Sequence, residues 1–366
     1  MRLGVATAIV GGEVVDGDVD VVDGEIAAVG LPGPGAGVAI PGLVDLQVNG
    51  YAGHDVSAAS PDELLELGAA LARDGVLWYQ PTVVTGAVDD MCAALGRIAE
   101  AVARPPGRRA RILGAHLEGP FISAGRAGAH EPGHIRDPSK EILDRLLGTP
   151  CPVTQMTLAP ELAGAFELIE ELVRRRVGVS LGHTDADATF AHAAFDAGAR
   201  SVTHLYNAMR PFWHRDPGIA GAALVRDDVV VGVIADGIHL AGEALLVAWR
   251  AARHRLVVVS DAMAAAGKGD GIHKLGPIDV TVVDGIARTW DGSLAGAARP
   301  LLDGVRLLVT LGVPLAEAVA AVTSTPASLL GREGIAGLRP GAPADVVVLD
   351  DELRLRDVLV GGSPVG

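Results

Sequence analysis

Short runs of Val, Leu, Ile and Ala recur along the chain, and several end in a polar, potentially reactive side chain. RILGAHLEG spans 111–119, VGVSLGHT 177–184, ARSVTHLYN 199–207 and RLVVVSDA 255–262. Unbroken apolar runs of this length suit strands covered on both faces, as in a parallel sheet. Between them, residues 163–176, 186–197 and 242–254 are rich in Ala, Leu, Glu and Arg, which favour helix. Strand alternating with helix predicts an α/β fold, a (β/α)8 TIM-like barrel, whose reactive side chains gather at the C-terminal ends of its strands. Four such ends in one chain point to a single site.

The two ends of the chain follow another rhythm. Residues 8–29 alternate short valine-rich runs with Gly and Asp turns, the pattern of β-hairpins, and residues 344–364 repeat it after the bridge GLRPGAP. Neither end is long enough for a stable sheet alone. The expected arrangement is a small β-sandwich domain assembled from 1–40 and 339–366, with the barrel, 41–338, inserted between them. No fixed-period repeat or low-complexity tract interrupts this plan.

Composition narrows the class. Of 366 residues, 49% are hydrophobic but only 3% aromatic, so the core must be aliphatic. A formal charge of −15 argues against a main role on nucleic acid or a membrane surface, both of which favour basic patches. An anionic ligand would need locally placed Arg, His or backbone N–H groups. The sequence has no apolar run long enough to span a bilayer and does not open with the order of a signal peptide, so a cytoplasmic location is expected. Cys92 and Cys151 are too few for a disulfide framework or a thiolate metal site and are read as ordinary buried thiols.

Four motifs carry the chemistry: HLEGP at 116–120, GHTDA at 182–186, THLYNAM at 203–209 and SDAM at 260–263. They supply a carboxylate, two imidazoles and a further carboxylate. Imidazole nitrogen and carboxylate oxygen are the usual ligands of a catalytic zinc, and three protein ligands leave a position for water. Each residue also has a plainer reading. Glu118 and Asp261 could cap a turn or join a salt bridge, and either histidine could be a hydrogen-bonded core residue. His116, two residues before Glu118, is expected on the same side of the strand as a supporting group.

Taken with PGLVDLQVNGYAGHDV, HLEGPFIS followed by GAH, LAPE, LGHTDA, DGIHL, VSDAM and SLAGA, in this order, the sequence resembles the N-acetylglucosamine-6-phosphate deacetylases of the amidohydrolase superfamily. The resemblance runs from the first barrel strand to ADVVVLD. It implies metal-dependent hydrolysis of N-acetyl-D-glucosamine 6-phosphate to glucosamine 6-phosphate and acetate. It makes Glu118, His183 and His204 the metal ligands, Asp261 the general base and then general acid, and His130 of GAH a partner for the oxyanion. It places Ala129, His130, Asn207, Ala208, His239, Leu294, Ala295 and Gly296 around the substrate. Arg215 is to reach the phosphate in a neighbouring subunit, which requires a homodimer, with Arg210 as a competitor for that contact. Residues 212–214 are then an interface loop or a lid on their own subunit.

Many amidohydrolases carry His-x-His after the first barrel strand, where this chain has Gln47 and Asn49. Amides are poor zinc ligands, so one divalent metal is expected, zinc first, although Fe2+, Mn2+ and Co2+ accept the same ligands. His54 is read as structural rather than as a substitute ligand. After SLAGA the chain reads ARPLLDG where many relatives have a serine and a methionine, which leaves the contacts to the acetyl methyl unassigned. The alternatives are a deacetylase of another hexosamine phosphate, such as N-acetylgalactosamine 6-phosphate, and an inactive metabolite-binding barrel. A deaminase or cyclic-amide hydrolase is disfavoured by the missing His-x-His.

Overall fold

The computed structural model describes residues 1–105 and 107–366. Eight strands form the barrel: β1 (Leu43–Val48), β2 (Val76–Val84), β3 (Ala115–Glu118), β4 (Val153–Leu158), β5 (Gly178–Leu181), β6 (Ser201–Val202), β7 (Val230–Ile234) and β8 (Leu256–Val259). Each pairs in parallel with the next. The seam between β8 and β1 closes differently. Val48 and Ala262 form an isolated parallel bridge, and lower down the N–H groups of Val44 and Val258 donate to the carbonyls of Val322 and Ala321 at 2.8 and 2.9 Å. The Asp45 carboxylate accepts the Ser260 N–H at 3.1 Å across the same seam. Burial pushes the Asp45 carboxyl up to about 7.

The helices cover the barrel as their patterns require. Pro61–Arg73 starts at a capping box between Ser60 and Glu63 and buries Leu64, Leu67 and Leu71. The expected helices are found as Ala165–Arg174, Ala188–Asp196 and Gly242–Ala251, each shorter than its compositional window. The second begins where Asp187 caps the Phe190 N–H at 2.9 Å. Inside the barrel, beneath the strand ends, a layer of buried polar side chains satisfies itself: His116 Nε2 meets Thr157 Oγ1 at 2.8 Å, and Thr157 and Ser180 both meet Thr203. No described helix is long and apolar enough to cross a membrane.

Both termini share one six-stranded sheet, ordered Glu13–Asp16, Thr7–Val10, Val38–Pro41, Val346–Leu349, Leu355–Val360, Ser363–Pro364. A hairpin, Asp18–Val22 with Glu25–Leu31, packs Val19, Val21 and Ile26 against Val346, Val348 and Leu359 of that sheet. The turns Gly11–Gly12 and Asp23–Gly24 have positive φ at both residues, the form that matches the twist of paired strands. A further three-stranded sheet, Gly271–Leu275, Ile278–Val283 and Ile286–Arg288, lies between β8 and the helix Leu301–Thr310 and was not expected from the sequence. Its turn is held down by Asp55, whose carboxylate accepts the Gly276 N–H at 2.8 Å.

The terminal sheet is fastened to the barrel by an ion pair. The Arg111 guanidinium forks onto Asp345 and stacks over Trp78 at 4.6 Å, while Asp345, 7% exposed, also accepts the Gly361 N–H. Removing the cation leaves a buried carboxylate without its partner. Arg111→Met should therefore lower unfolding stability by about 3 kcal/mol in denaturant titration. A loss under about 0.5 kcal/mol, as for an ordinary surface change, would show that the pair does not fasten the sheet.

Candidate metal centre

Glu118 is the last residue of β3, His183 and His204 stand two residues beyond β5 and β6, and Asp261 stands two beyond β8. All four are buried. His183, His204 and Asp261 have φ of 49°, 31° and 50°. Left-handed backbone at a non-glycine residue costs about 1 to 3 kcal/mol and persists only where the surroundings over-determine it. Here it turns each side chain back over the mouth of the barrel. Glu118 Oε1 lies 3.3 Å from His183 Nε2 and 3.1 Å from His204 Nε2, and the two imidazole nitrogens are 3.0 Å apart. Ligand atoms around a tetrahedral zinc with bonds near 2.0–2.1 Å are separated by about 3.3 Å. The donor set and its spacing fit a divalent cation.

Hydrogen bonds on the far side of His183 and His130 assign their roles, whereas His204 Nδ1 is buried with no hydrogen-bond partner. His183 Nδ1 lies 3.0 Å from the Arg126 carbonyl, which can only accept, so Nδ1 carries the proton and Nε2 turns a lone pair to the cluster. His130 is the reverse case. Its Nδ1 accepts the Thr85 backbone N–H at 3.3 Å, so the neutral ring carries its proton on Nε2, 3.9 Å from Glu118 Oε2. Glu118, His130 and His183 are close enough to hold an ion together, but a protonated Nε2 is a donor and not a ligand. Burial pushes His130 down to about 3, which keeps that ring neutral.

Two amides complete the floor. Gln47 Nε2 donates to Glu118 Oε1 and to Asp261 Oδ1, both at 2.9 Å, and Asn49 Nδ2 donates to Asp261 Oδ1 at 2.7 Å. The residues that stand in place of His-x-His thus serve the carboxylates directly. Burial opposes ionisation of Glu118, but the neighbouring imidazoles of His183 and His204 outweigh burial and hold the carboxyl well below its usual range. Burial and the nearby Glu118 charge push Asp261 the other way. Two carboxyl groups sharing one site with opposite shifts are suited to different tasks.

A cavity of about 310 Å3 opens over the cluster. Ala129, His130, Asn207, Ala208, His239, Leu294 and Gly296 line it together with Glu118, His183, His204 and Asp261. His239 is held by Asp236, whose carboxylate meets Nδ1 at 2.7 Å and accepts the backbone N–H groups of Ile238 and His239. Ala295 is not in the lining and is fully buried in the apolar cluster that also holds Met263, Val280 and Val282. Arg215 does not line it either and stands exposed beside Phe212 and Trp213. Arg210 is engaged by Asp216 at 2.6 Å and Asp185 at 3.5 Å. His54 lies apart, 3.3 Å from Glu66, and His116 sits below the cluster against Thr157. Cys92 and Cys151 are free thiols, and burial pushes the latter up to about 12.

Sequence reasoning missed Thr85, Glu131, Ile234, Leu275, Pro277 and Ser293 in the lining. Glu131, adjacent to His130, and Ser293, the first residue of the SLAGA motif, carried a signal that could have found them.

The sequence pattern of the amidohydrolase family matches residues 38–365. The chain is 38% identical over 360 residues to the N-acetylgalactosamine-6-phosphate deacetylase of Escherichia coli O157:H7, covering 95% of this chain and 94% of that protein. It is 40% identical over 350 residues to the N-acetylglucosamine-6-phosphate deacetylase of Homo sapiens, covering 90% and 84%. The structure of a mutant of N-acetyl-D-glucosamine-6-phosphate deacetylase from Mycobacterium smegmatis, in complex with N-acetyl-D-glucosamine-6-phosphate, superposes with a TM-score of 0.93 at 36% identity, covering 100% of this chain and 99% of that one. With its barrel, its strand-end cluster and these relatives, the chain belongs to the amidohydrolase family and groups there with the N-acetylhexosamine-6-phosphate deacetylases.

Proposed function

We propose that this protein hydrolyses N-acetyl-D-glucosamine 6-phosphate to D-glucosamine 6-phosphate and acetate. The observation that carries the proposal is the convergence of Glu118, His183 and His204 within 3.3 Å of one another beneath a cavity that Asp261 and His130 also line. A single divalent ion, zinc by ligand chemistry, would be held by those three residues. When bound, it supplies Lewis acidity and lowers the pKa of water. Gln47 and Asn49, by donating to the two carboxylates, support one ion rather than two.

Asp261 takes a proton from the attacking water as its oxygen adds to the acetyl carbon. The same carboxyl then gives that proton to the sugar nitrogen as the C–N bond breaks, so that an amine departs and not its anion. His130 donates from Nε2 to the acetyl oxygen as negative charge grows there. An inactive binding barrel would have no use for Asp261 in this position.

The phosphate is assigned to Asn207, Ala208 and His239 in one subunit and to Arg215 of its neighbour in a homodimer. Two facts support this. The cavity is lined by no Arg or Lys among the described residues, although its ligand is an anion. Arg215 has no side-chain ion pair among the described residues, and Trp213 beside it is 64% exposed, as an interface loop requires. A cytoplasmic enzyme of amino-sugar breakdown follows from the same substrate. N-acetylgalactosamine 6-phosphate is the second reading, favoured by the Escherichia coli relative.

Acetate release from both sugar phosphates and from unphosphorylated N-acetylglucosamine, with metal content quantified, tests the assignment. Activity on the glucosamine ester with about one ion per subunit is expected. Preference for the galactosamine ester selects the second reading, and no release from metal-loaded protein defeats both. Asp261→Asn should retain the metal and lower kcat by roughly 100- to 10,000-fold, and substantial residual turnover would remove Asp261 from proton transfer. Arg215→Ala should raise KM for the phosphorylated sugar about tenfold or more with kcat little changed. An unchanged KM would move the phosphate contact elsewhere.

A further inference from the structure

The LAPE segment at the end of β4 has no part in the chemistry above, and its Glu161 does not line the cavity. Its carboxylate is nonetheless fully engaged. Oε2 accepts the Thr184 hydroxyl at 2.5 Å, and Oε1 accepts the Asp185 backbone N–H at 2.6 Å. These are the two residues that follow His183. The Asp185 carboxylate receives the Arg126 guanidinium at 2.6 and 2.8 Å, and the Arg126 carbonyl meets His183 Nδ1. Glu161, Asp185, Arg126 and His183 therefore form a closed circuit around one metal-facing imidazole.

Thr184 extends the circuit. Its N–H donates to the Ala208 carbonyl at 3.2 Å, and its own carbonyl accepts the Arg210 N–H at 3.0 Å. The loop that follows His204 and presents Asn207 and Ala208 to the cavity is thus paired with the residue next to His183. Charge-assisted bonds of this length are the strong ones, and the left-handed backbone at His183 needs such support from outside its own strand.

We propose that Glu161 is a positioning residue, which holds His183 toward the cluster and, through Thr184, ties that ligand to the substrate loop. The proposal rests on His183 being a metal ligand. Metal affinity and the fit of the phosphorylated sugar should then depend on one carboxylate that touches neither.

The test is zinc affinity of the metal-stripped, full-length protein, measured by competition with a chelator. Glu161→Ala should weaken zinc binding by about tenfold to a hundredfold, the usual cost of losing a partner behind a ligand. With zinc saturating, its KM for the sugar phosphate should also rise. Glu161→Gln should stay within about threefold of the wild type, because the amide oxygen can take the Asp185 N–H while the Thr184 hydroxyl reverses to accept from the amide N–H2. Asp187→Ala serves as the control: it removes the cap of the next helix and leaves the circuit whole, so it should keep its zinc affinity. If Glu161→Ala does not fold, Thr184→Val, which keeps the shape and loses the hydroxyl, should weaken zinc in the same direction. Unchanged affinity in the variant that folds overturns the proposal, as does equal loss in Glu161→Gln or in Asp187→Ala. Failure of the wild type itself to bind zinc would defeat the ligand assignment instead.

Discussion

A carboxylate taken out of water must be met by groups that converge on it, and here that requirement falls on Glu118, which is 3% exposed. Its partners arrive from β1, through Gln47, and from the ends of β5 and β6, through His183 and His204. β1, β3 and the β5–β6 pair are each separated by a further barrel strand. The cluster therefore exists only if every intervening strand is in register, since a slip of one residue would turn Glu118 to the outer face. The strained backbone at His183, His204 and Asp261 is tolerated for the same reason. Surroundings fixed by a whole barrel can hold conformations that no local segment would choose.

Three imidazoles in this site differ in what each meets on Nδ1. A backbone carbonyl behind His183 leaves a lone pair facing the cluster. A backbone N–H behind His130 leaves a proton facing the cavity. A carboxylate behind His239 fixes a third ring in the cavity lining. The amides Gln47 and Asn49 follow the same rule, since each points its N–H2 group at a negative neighbour.

Much of this was legible in the sequence because it is local. The runs ending in Glu118, His183, His204 and Asp261 carry both the strand and its terminal residue, so placement and chemistry appear together. The terminal hairpins announced themselves through Gly11–Gly12 and Asp23–Gly24. What stayed hidden depends on distant backbone. Nothing near His130 shows that the Thr85 N–H will choose its tautomer, and nothing near Gln47 shows that its amide will bridge two carboxylates from other strands. The sheet spanning 271–288 alternates and turns at Asp284–Gly285, but it is inserted between a barrel strand and its helix, where the strand–helix rhythm predicts only a connection. Ala295 was placed in the wall by motif adjacency, whereas it is buried in an apolar cluster and not in the lining.

The interleaved terminal sheet bears on the birth of the molecule as well as on its finished form. Val38–Pro41 is flanked on one side by Thr7–Val10 and on the other by Val346–Leu349, and the Gly37 N–H is received by Asp351, 314 residues further on. On the ribosome that edge waits for Val346–Leu349, which follows on the order of 15 to 60 s later at ordinary elongation rates. Throughout that interval the open, apolar strand Val38–Pro41 is available to any neighbouring nascent chain. Val346–Leu349 thus acts as the cover for a strand made long before it, and the pace of translation sets how long that surface stays open.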